Sequence, residues 1–177
     1  MVRILMAFAL LVAFTFTASA ADTKYSLTGD NAKITFVGTK PDGKHDGGFK
    51  KLTGTATVTD GTLTAIEVEI ATDSLWSDDQ KLTTHLKSPD FFGVKDNPKA
   101  TFKTTKIEKT KEGYDITGDL TMLGKTKSIK FPAKVTADDS LNLTAEFKID
   151  RTQWGMVYGK GKINDEVALK LNVSAKK

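Results

Sequence analysis

Leu141-Asn142-Leu143-Thr144-Ala145-Glu146-Phe147-Lys148-Ile149 alternates apolar and polar side chains without a break. In a pleated strand successive side chains point to opposite faces, so this stretch has one apolar and one wet face. The rhythm recurs on both sides. Downstream, Val167, Leu169, Leu171 and Val173 alternate with Ala168, Lys170 and Asn172; just upstream, Ile129, Phe131, Ala133 and Val135 alternate with Ser128, Lys130 and Lys134. Earlier, Ile66, Val68 and Ile70 are interleaved with Glu67 and Glu69, Ala56 and Val58 sit among threonines, and Ile34 and Phe36 follow the same period. Threonine, valine, isoleucine and phenylalanine enrich these runs, as pleated surfaces favour.

Turn chemistry punctuates the runs at Asp60-Gly61, Glu112-Gly113, Leu123-Gly124-Lys125 and Asp138-Asp139-Ser140. Roughly eight strands are expected, among them Tyr25–Thr28, Phe49–Asp60 and Ala100–Glu108. Short connections argue for antiparallel up-and-down order rather than βαβ units. Because each strand has a single apolar face, the sheet must fold on itself, either as a sandwich or as a closed barrel. The strand count favours the barrel, at the size where an interior can just hold one small ligand.

One stretch, Ile70 to Ala100, lacks the alternation. Ser77-Asp78-Asp79-Gln80 has the form of a capping box with the Ser77 hydroxyl at the N-cap, Leu82 and Leu86 follow at helical spacing, and Pro89 stops the turn. A short helix over about 78–87 is expected. The adjacent Phe91 and Phe92 behind it imply a loop that packs onto something, either a lid over the barrel or a plug in one end.

Residues 1–20 read as a secretory signal peptide: Arg3 as the positive start, an apolar stretch from Ile4 to Phe16, and Ala18-Ser19-Ala20 as a cleavage site. The apolar stretch is shorter than the roughly 20 residues that span a bilayer, so no integral span is expected after cleavage. Residues 21–177 then form one domain, exported to the periplasm. The net charge of +4 falls to +3 once Arg3 leaves, and Arg151 is the only arginine remaining. Scattered lysines of this kind solvate strand faces, and no nucleic-acid partner is expected.

Catalytic and metal chemistry have no support in the residues. There is no cysteine, and the two histidines, His45 and His85, lie in unrelated segments without ligand spacing. His45 sits in the glycine-rich Asp42–Gly48 segment, which reads as a flexible hairpin loop. Asp78-Asp79, Asp138-Asp139 and Asp165-Glu166 are neighbours in turns rather than carboxylates facing across a cleft. No G-x-S-x-G elbow occurs. Gly159-Lys160-Gly161-Lys162 lacks the spacing of a phosphate loop and reads as a turn. The chain is therefore not read as an enzyme, and no cofactor or metal is expected. What remains is the apolar inventory: ten phenylalanines, three of them (Phe8, Phe14 and Phe16) within residues 1–20, two tryptophans, and small inward candidates at Ala56, Gly118, Ala133 and Ala145. Such a mixture serves either tapered core packing or a slender ligand.

Three blocks resemble the YceI-like polyisoprenoid-binding family: His85–Phe92 followed by Asn97-Pro98-Lys99-Ala100-Thr101-Phe102; Gly113–Gly124; and Ile149-Asp150-Arg151-Thr152-Gln153-Trp154-Gly155. The resemblance covers essentially all of residues 21–177. It implies a lipocalin-like, eight-stranded antiparallel barrel whose lumen takes an isoprenoid or other long-chain lipid. It also implies that Phe91, Phe92 and Phe102 lie near the pocket and its lid, with Arg151 and Trp154 at a strand end near the mouth. Alternation adds Phe36, Leu120, Phe131 and Phe147 as inward-facing ligand contacts. If the lipid carries a phosphate head, Arg151, Lys87 or Lys160 could pair with it. The expected function is periplasmic binding of a long-chain lipid for sequestration or transport, and a homodimer is compatible with the sequence. Two alternatives stay open. One is a filled-barrel, stress-related structural or interaction module without a stoichiometric ligand; the other is an enzyme or redox partner acting on an isoprenoid.

Overall fold

A computed structural model describes residues 21–177, so the signal-peptide reading of residues 1–20 lies outside the described residues. The strands are β1 (Asp22–Thr28), β2 (Ala32–Lys40), β3 (Gly43–Phe49), β4 (Leu52–Thr59), β5 (Thr62–Ala71), β6 (Leu75–Ser77), β7 (Lys99–Lys109), β8 (Tyr114–Met122), β9 (Lys125–Ala137), β10 (Ser140–Asp150) and β11 (Glu166–Lys176). Among the described residues a single α-helix, α1 (Gln80–Lys87), stands between β6 and β7. The strands form one curled sheet in the order β1-β4-β5-β7-β8-β9-β10-β11-β2-β3-β6, with every neighbouring pair antiparallel. The expected all-β, barrel-like class is observed.

The strand number is eleven rather than eight, for identifiable reasons. The run from Phe49 to Asp60 is two strands, because the chain turns a corner at Lys50-Lys51. There Lys50 N–H donates to Ser74 O at 3.2 Å and Ala71 N–H to Lys51 O at 3.1 Å. The glycine-rich segment around His45 is not a flexible loop but strand β3, paired with β2 on one side and β6 on the other. Two of its glycines are steric necessities. A Cβ at Gly47 would collide with the Phe36 ring, and one at Gly48 would meet the Ile34 carbonyl and the Trp76 indole. Packing decides here, since glycine is disfavoured in strands by its intrinsic preference.

The helix also starts later than expected. Its N-cap is Asp79, which accepts from Leu82 N–H at 2.7 Å, while Ser77 is committed to β6 and its hydroxyl donates to Asp79 O at 2.8 Å. Gln80 is therefore the first helical residue instead of the third.

Strand β9 joins the two halves of the sheet. It pairs with β8 as far as Ala133 and with β10 from Lys134 to Ala137. Pro132, which has no N–H for a ladder, lies where β9 leaves β8. The turns separate the barrel into two ends. The Asp60-Gly61 and Asp138-Asp139 connections lie at one end, which is packed shut. The β2–β3 hairpin, the Leu123-Gly124 turn and the segment linking β10 to β11 lie at the other. Asp60 and Gly61 (φ 49° and 73°) and Leu123 and Gly124 (φ 50° and 68°) adopt the left-handed pair that two-residue hairpins require. Tyr25, Val58, Leu63, Ile116 and Leu141 fill the closed end and are fully buried.

Candidate functional site: an apolar lumen with a polar mouth

A cavity of about 350 Å³ runs from the packed end to the mouth. That lies within the size range of small-molecule sites, which are largely apolar with few placed polar groups. Its lining follows from strand alternation: the inward residues of β2 and β11, namely Ile34, Phe36, Val167, Leu169, Leu171 and Val173, face those of β5, β7 and β8. These β2 and β11 residues are only half-buried although they point inward, because the space in front of them is not filled by protein.

Two chains of phenyl rings border the cavity. Phe131 stacks on Phe147 with centroids 4.2 Å apart and planes at 7°, and Phe102 packs on Phe131 at 5.8 Å. On the other side Phe49 lies 6.2 Å from Phe36 and 5.5 Å from Phe92. Small residues make room for these rings rather than for open space: Phe102 covers Gly118 and Phe36 covers Gly47. Of the residues singled out in the sequence, Phe36, Phe91, Phe92, Phe102, Leu120, Phe131, Phe147 and Arg151 all line the cavity.

Trp154 does not. It is 1% exposed within the hydrophobic core, and its indole N–H donates to Leu120 O at 3.0 Å, so it anchors the turn after β10 to β8. Arg151 borders the lumen but has no donor left for a ligand head. Its guanidinium gives hydrogen bonds to the carbonyls of Met156 (2.6 Å), Tyr158 (3.0 Å), Asn164 (3.2 Å) and Ile163 (3.4 Å), and to the Asp165 carboxylate (3.5 Å). Each of its N–H groups is thereby engaged. Arg151 is the internal frame of the 151–165 segment, which explains why the one arginine of this domain is buried.

The lid expected from Phe91-Phe92 closes part of the mouth. Leu82, Leu86, Phe91 and Phe92 face the lumen. On the outer side, the His85 ring packs edge-on against Phe91 at 5.0 Å and Tyr158 at 4.8 Å, and its Nε2 pairs with Asp90 Oδ2 at 2.8 Å. The helix and the 151–165 segment thus meet through an aromatic contact at the rim.

Sequence reasoning missed several lining residues. Phe49 was legible as apolar, but its face could not be assigned before the Lys50-Lys51 corner was known. Met156 and Ile163 lie outside any periodic run and carried no signal. His45, taken for a loop residue, lines the mouth together with Gly38, Thr39, Lys40 and Asn164. Its Nδ1–H donates to Asp78 Oδ1 at 2.9 Å, and Asp78 Oδ2 accepts from Asp46 N–H at 3.0 Å. Those bonds, the Asp46 amide first and His45 second, hold the Asp78 carboxyl below its ordinary range. Among the described residues, no cluster of three or more His, Cys, Asp or Glu is placed to hold a metal. No described helix is long and apolar enough to cross a membrane.

A YceI-like domain model matches residues 25–175. The chain belongs to that family. Protein YceI of Escherichia coli O17:K52:H18 is 31% identical over 184 residues, covering 95% of this chain and 93% of its own length. A UPF0312 protein of Pectobacterium carotovorum is 35% identical over 128 residues; the match spans 67% of this chain and only 64% of that relative's length. Two solved structures share the fold: Burkholderia cenocepacia BcnA, at a TM-score of 0.75 and 22% identity over 82% of this chain and 96% of its own, and a domain from Saccharophagus degradans, at 0.67 and 12% identity over 86% and 97%. The latter is described as a polyisoprenoid-binding domain implicated in plant cell wall breakdown. The family thus rests on the sequence matches, and the two solved structures share its fold.

Proposed function

We propose that this chain is a periplasmic lipid-binding protein that holds a long apolar chain, of the isoprenoid type, inside its lumen and sequesters or carries it. The observation that carries the reading is the unfilled strip in front of β2 and β11, where inward apolar side chains stay half-buried beside two arcs of phenyl rings. Moving a hydrocarbon chain from water into such a strip is favourable by about 0.8 kcal/mol per methylene. The description of the Saccharophagus degradans domain as polyisoprenoid-binding supports the ligand class. The signal-peptide pattern of residues 1–20 supports export. Binding without catalysis is the activity this lining suits, since the polar groups at the lumen are confined to its rim.

Native mass spectrometry with organic extraction, on protein recovered from its own exported fraction, tests this. A stoichiometric long-chain lipid released on denaturation is expected, and Phe102→Asp is expected to abolish uptake of an added isoprenoid. An apo mass together with no uptake of isoprenoid or fatty-acid probes would overturn the reading in favour of a filled-barrel interaction module.

A further inference from the structure

We infer that the lumen selects a lipid bearing an anionic oxygen head, a phosphate monoester or carboxylate, and seats that head at the mouth between Gly38, Lys40 and His45. The inference rests on the lumen being a lipid site. Along one face of the β2–β3 hairpin the inward positions change character in order. On β2 they run Ile34, Phe36, Gly38, Lys40, and on β3 they run Phe49, Gly47, His45, with Phe36 opposite Gly47 and Gly38 opposite His45. Travelling outward, the lining passes from phenyl rings to an imidazole and an ammonium on a single continuous surface.

Room exists for a head at that point. At Gly47 the Phe36 ring fills the space a side chain would take, but a Cβ at Gly38 would meet no atom within 4 Å. Two glycines on the same face of the hairpin thus differ: Gly47 is covered, and Gly38 leaves a gap directly beside His45.

The polar groups around the gap are held from outside and left free inside. Asp78 grips His45 Nδ1, and the Asp46 amide grips Asp78, so the ring is oriented with Nε2 lacking a partner among the described residues. The Lys40 side chain has no ion-pair or hydrogen-bond partner among the described residues either, whereas several lysines of the outer wall are matched across strands, as in Lys99–Glu69 at 2.9 Å and Lys170–Glu146 at 2.8 Å. Of the nearby acidic groups, Asp46 lies 3.8 Å from Lys44 and Asp78 faces the far side of the ring, while Asp42 stands in the β2–β3 turn without an ion-pair partner among the described residues. Asn164 ties the rim together through Nδ2 to Thr39 Oγ1 at 2.7 Å and N–H to Thr39 O at 2.9 Å. Arg151, one of the three expected head partners, is consumed by its own loop. With an anion in the gap, Lys40 supplies charge and His45 joins it as imidazolium, the form that carries both the Nδ1–H held by Asp78 and an Nε2–H directed at the head.

The test is displacement of a fluorescent long-chain probe from the delipidated protein by farnesyl monophosphate and by farnesol. The phosphate is expected to bind about tenfold more tightly, the scale of one charge-assisted contact. Combining Lys40→Gln with His45→Gln should bring that ratio near one, and Lys170→Gln on the outer wall should leave it intact. Gly38→Leu, whose Cβ meets no atom within 4 Å and whose branches occupy the gap, should erase the preference while circular dichroism remains native. Equal binding of both compounds by the unaltered protein overturns the head site but leaves the lipid lumen standing. Failure of both compounds to bind overturns the two readings together. Inorganic phosphate alone competing as well as farnesyl monophosphate would make this a free-anion site and overturn the lipid head.

Discussion

At the closed end Tyr25, Leu63, Ile116 and Leu141 are 0–1% exposed; along β2 and β11, Ile34, Phe36, Leu169 and Leu171 are equally apolar and equally inward, yet half-buried. Both sets come from the same alternating strand pattern. The difference lies in what stands opposite. At the closed end strands from both halves of the sheet bring side chains into contact, and Tyr25 even reaches across to the Asp138 carbonyl at 3.4 Å. Toward the mouth the space between the facing walls stays open. Alternation therefore builds a wall, and the spacing between walls determines whether it becomes core or cavity.

The mouth is also stabilised differently from the closed end: a single arginine frames it, where the other end relies on dense packing. Replacing Arg151 by Met should be the most damaging change. It strands several buried carbonyls and is expected to cost about 3–5 kcal/mol in urea denaturation. A loss under about 1 kcal/mol would mean the 151–165 segment holds itself. Next, Ile116→Ala should destabilise by about 2–4 kcal/mol, the range for large-to-small changes in a full core, while leaving lipid uptake intact. Leu169→Ala should reverse that balance, costing about 1 kcal/mol or less in stability because the side chain already faces open space, and weakening uptake of a long-chain probe. Similar destabilisation by the two alanines would erase the distinction between core and lumen.

A smaller effect concerns the rim. Because hydrogen bonds to the charged form lower the Asp78 pKa on folding, its contribution is complete above the ordinary carboxylate range. It fades as pH falls through the depressed native value. An NMR titration should find the Asp78 carboxyl ionised below that range, and Asp46→Pro, which removes the amide donor, should raise it. An Asp78 that titrates normally would mean His45 is not held. Least of all, Lys170→Gln should leave the unfolding midpoint unchanged, since its pair with Glu146 is fully in solvent.

Much of this was legible in the chain. The period-two runs gave the class, the antiparallel order and most of the inward set, and Asp60-Gly61 and Leu123-Gly124 marked their hairpins. The strand count went astray at Lys50-Lys51, where nothing local announces a corner. The Ser at position 77 had the chemistry of a helix cap but was drawn into β6 instead. His45 was misread because glycines around it suggest a loop, and only the Phe36 and Trp76 rings lying against Gly47 and Gly48 explain why a strand needs them.

The amino-acid order by itself determined which side chains share a face, since strand geometry alternates regardless of context, and it determined family membership through blocks such as Asp150-Arg151-Thr152-Gln153-Trp154. The tertiary structure alone decided which inward residues became core and which became lumen, that Arg151 was spent on backbone carbonyls, and that Gly38 opened a gap beside His45. Those outcomes depend on distances between segments far apart in sequence, and a local pattern carries no measure of distance across a barrel.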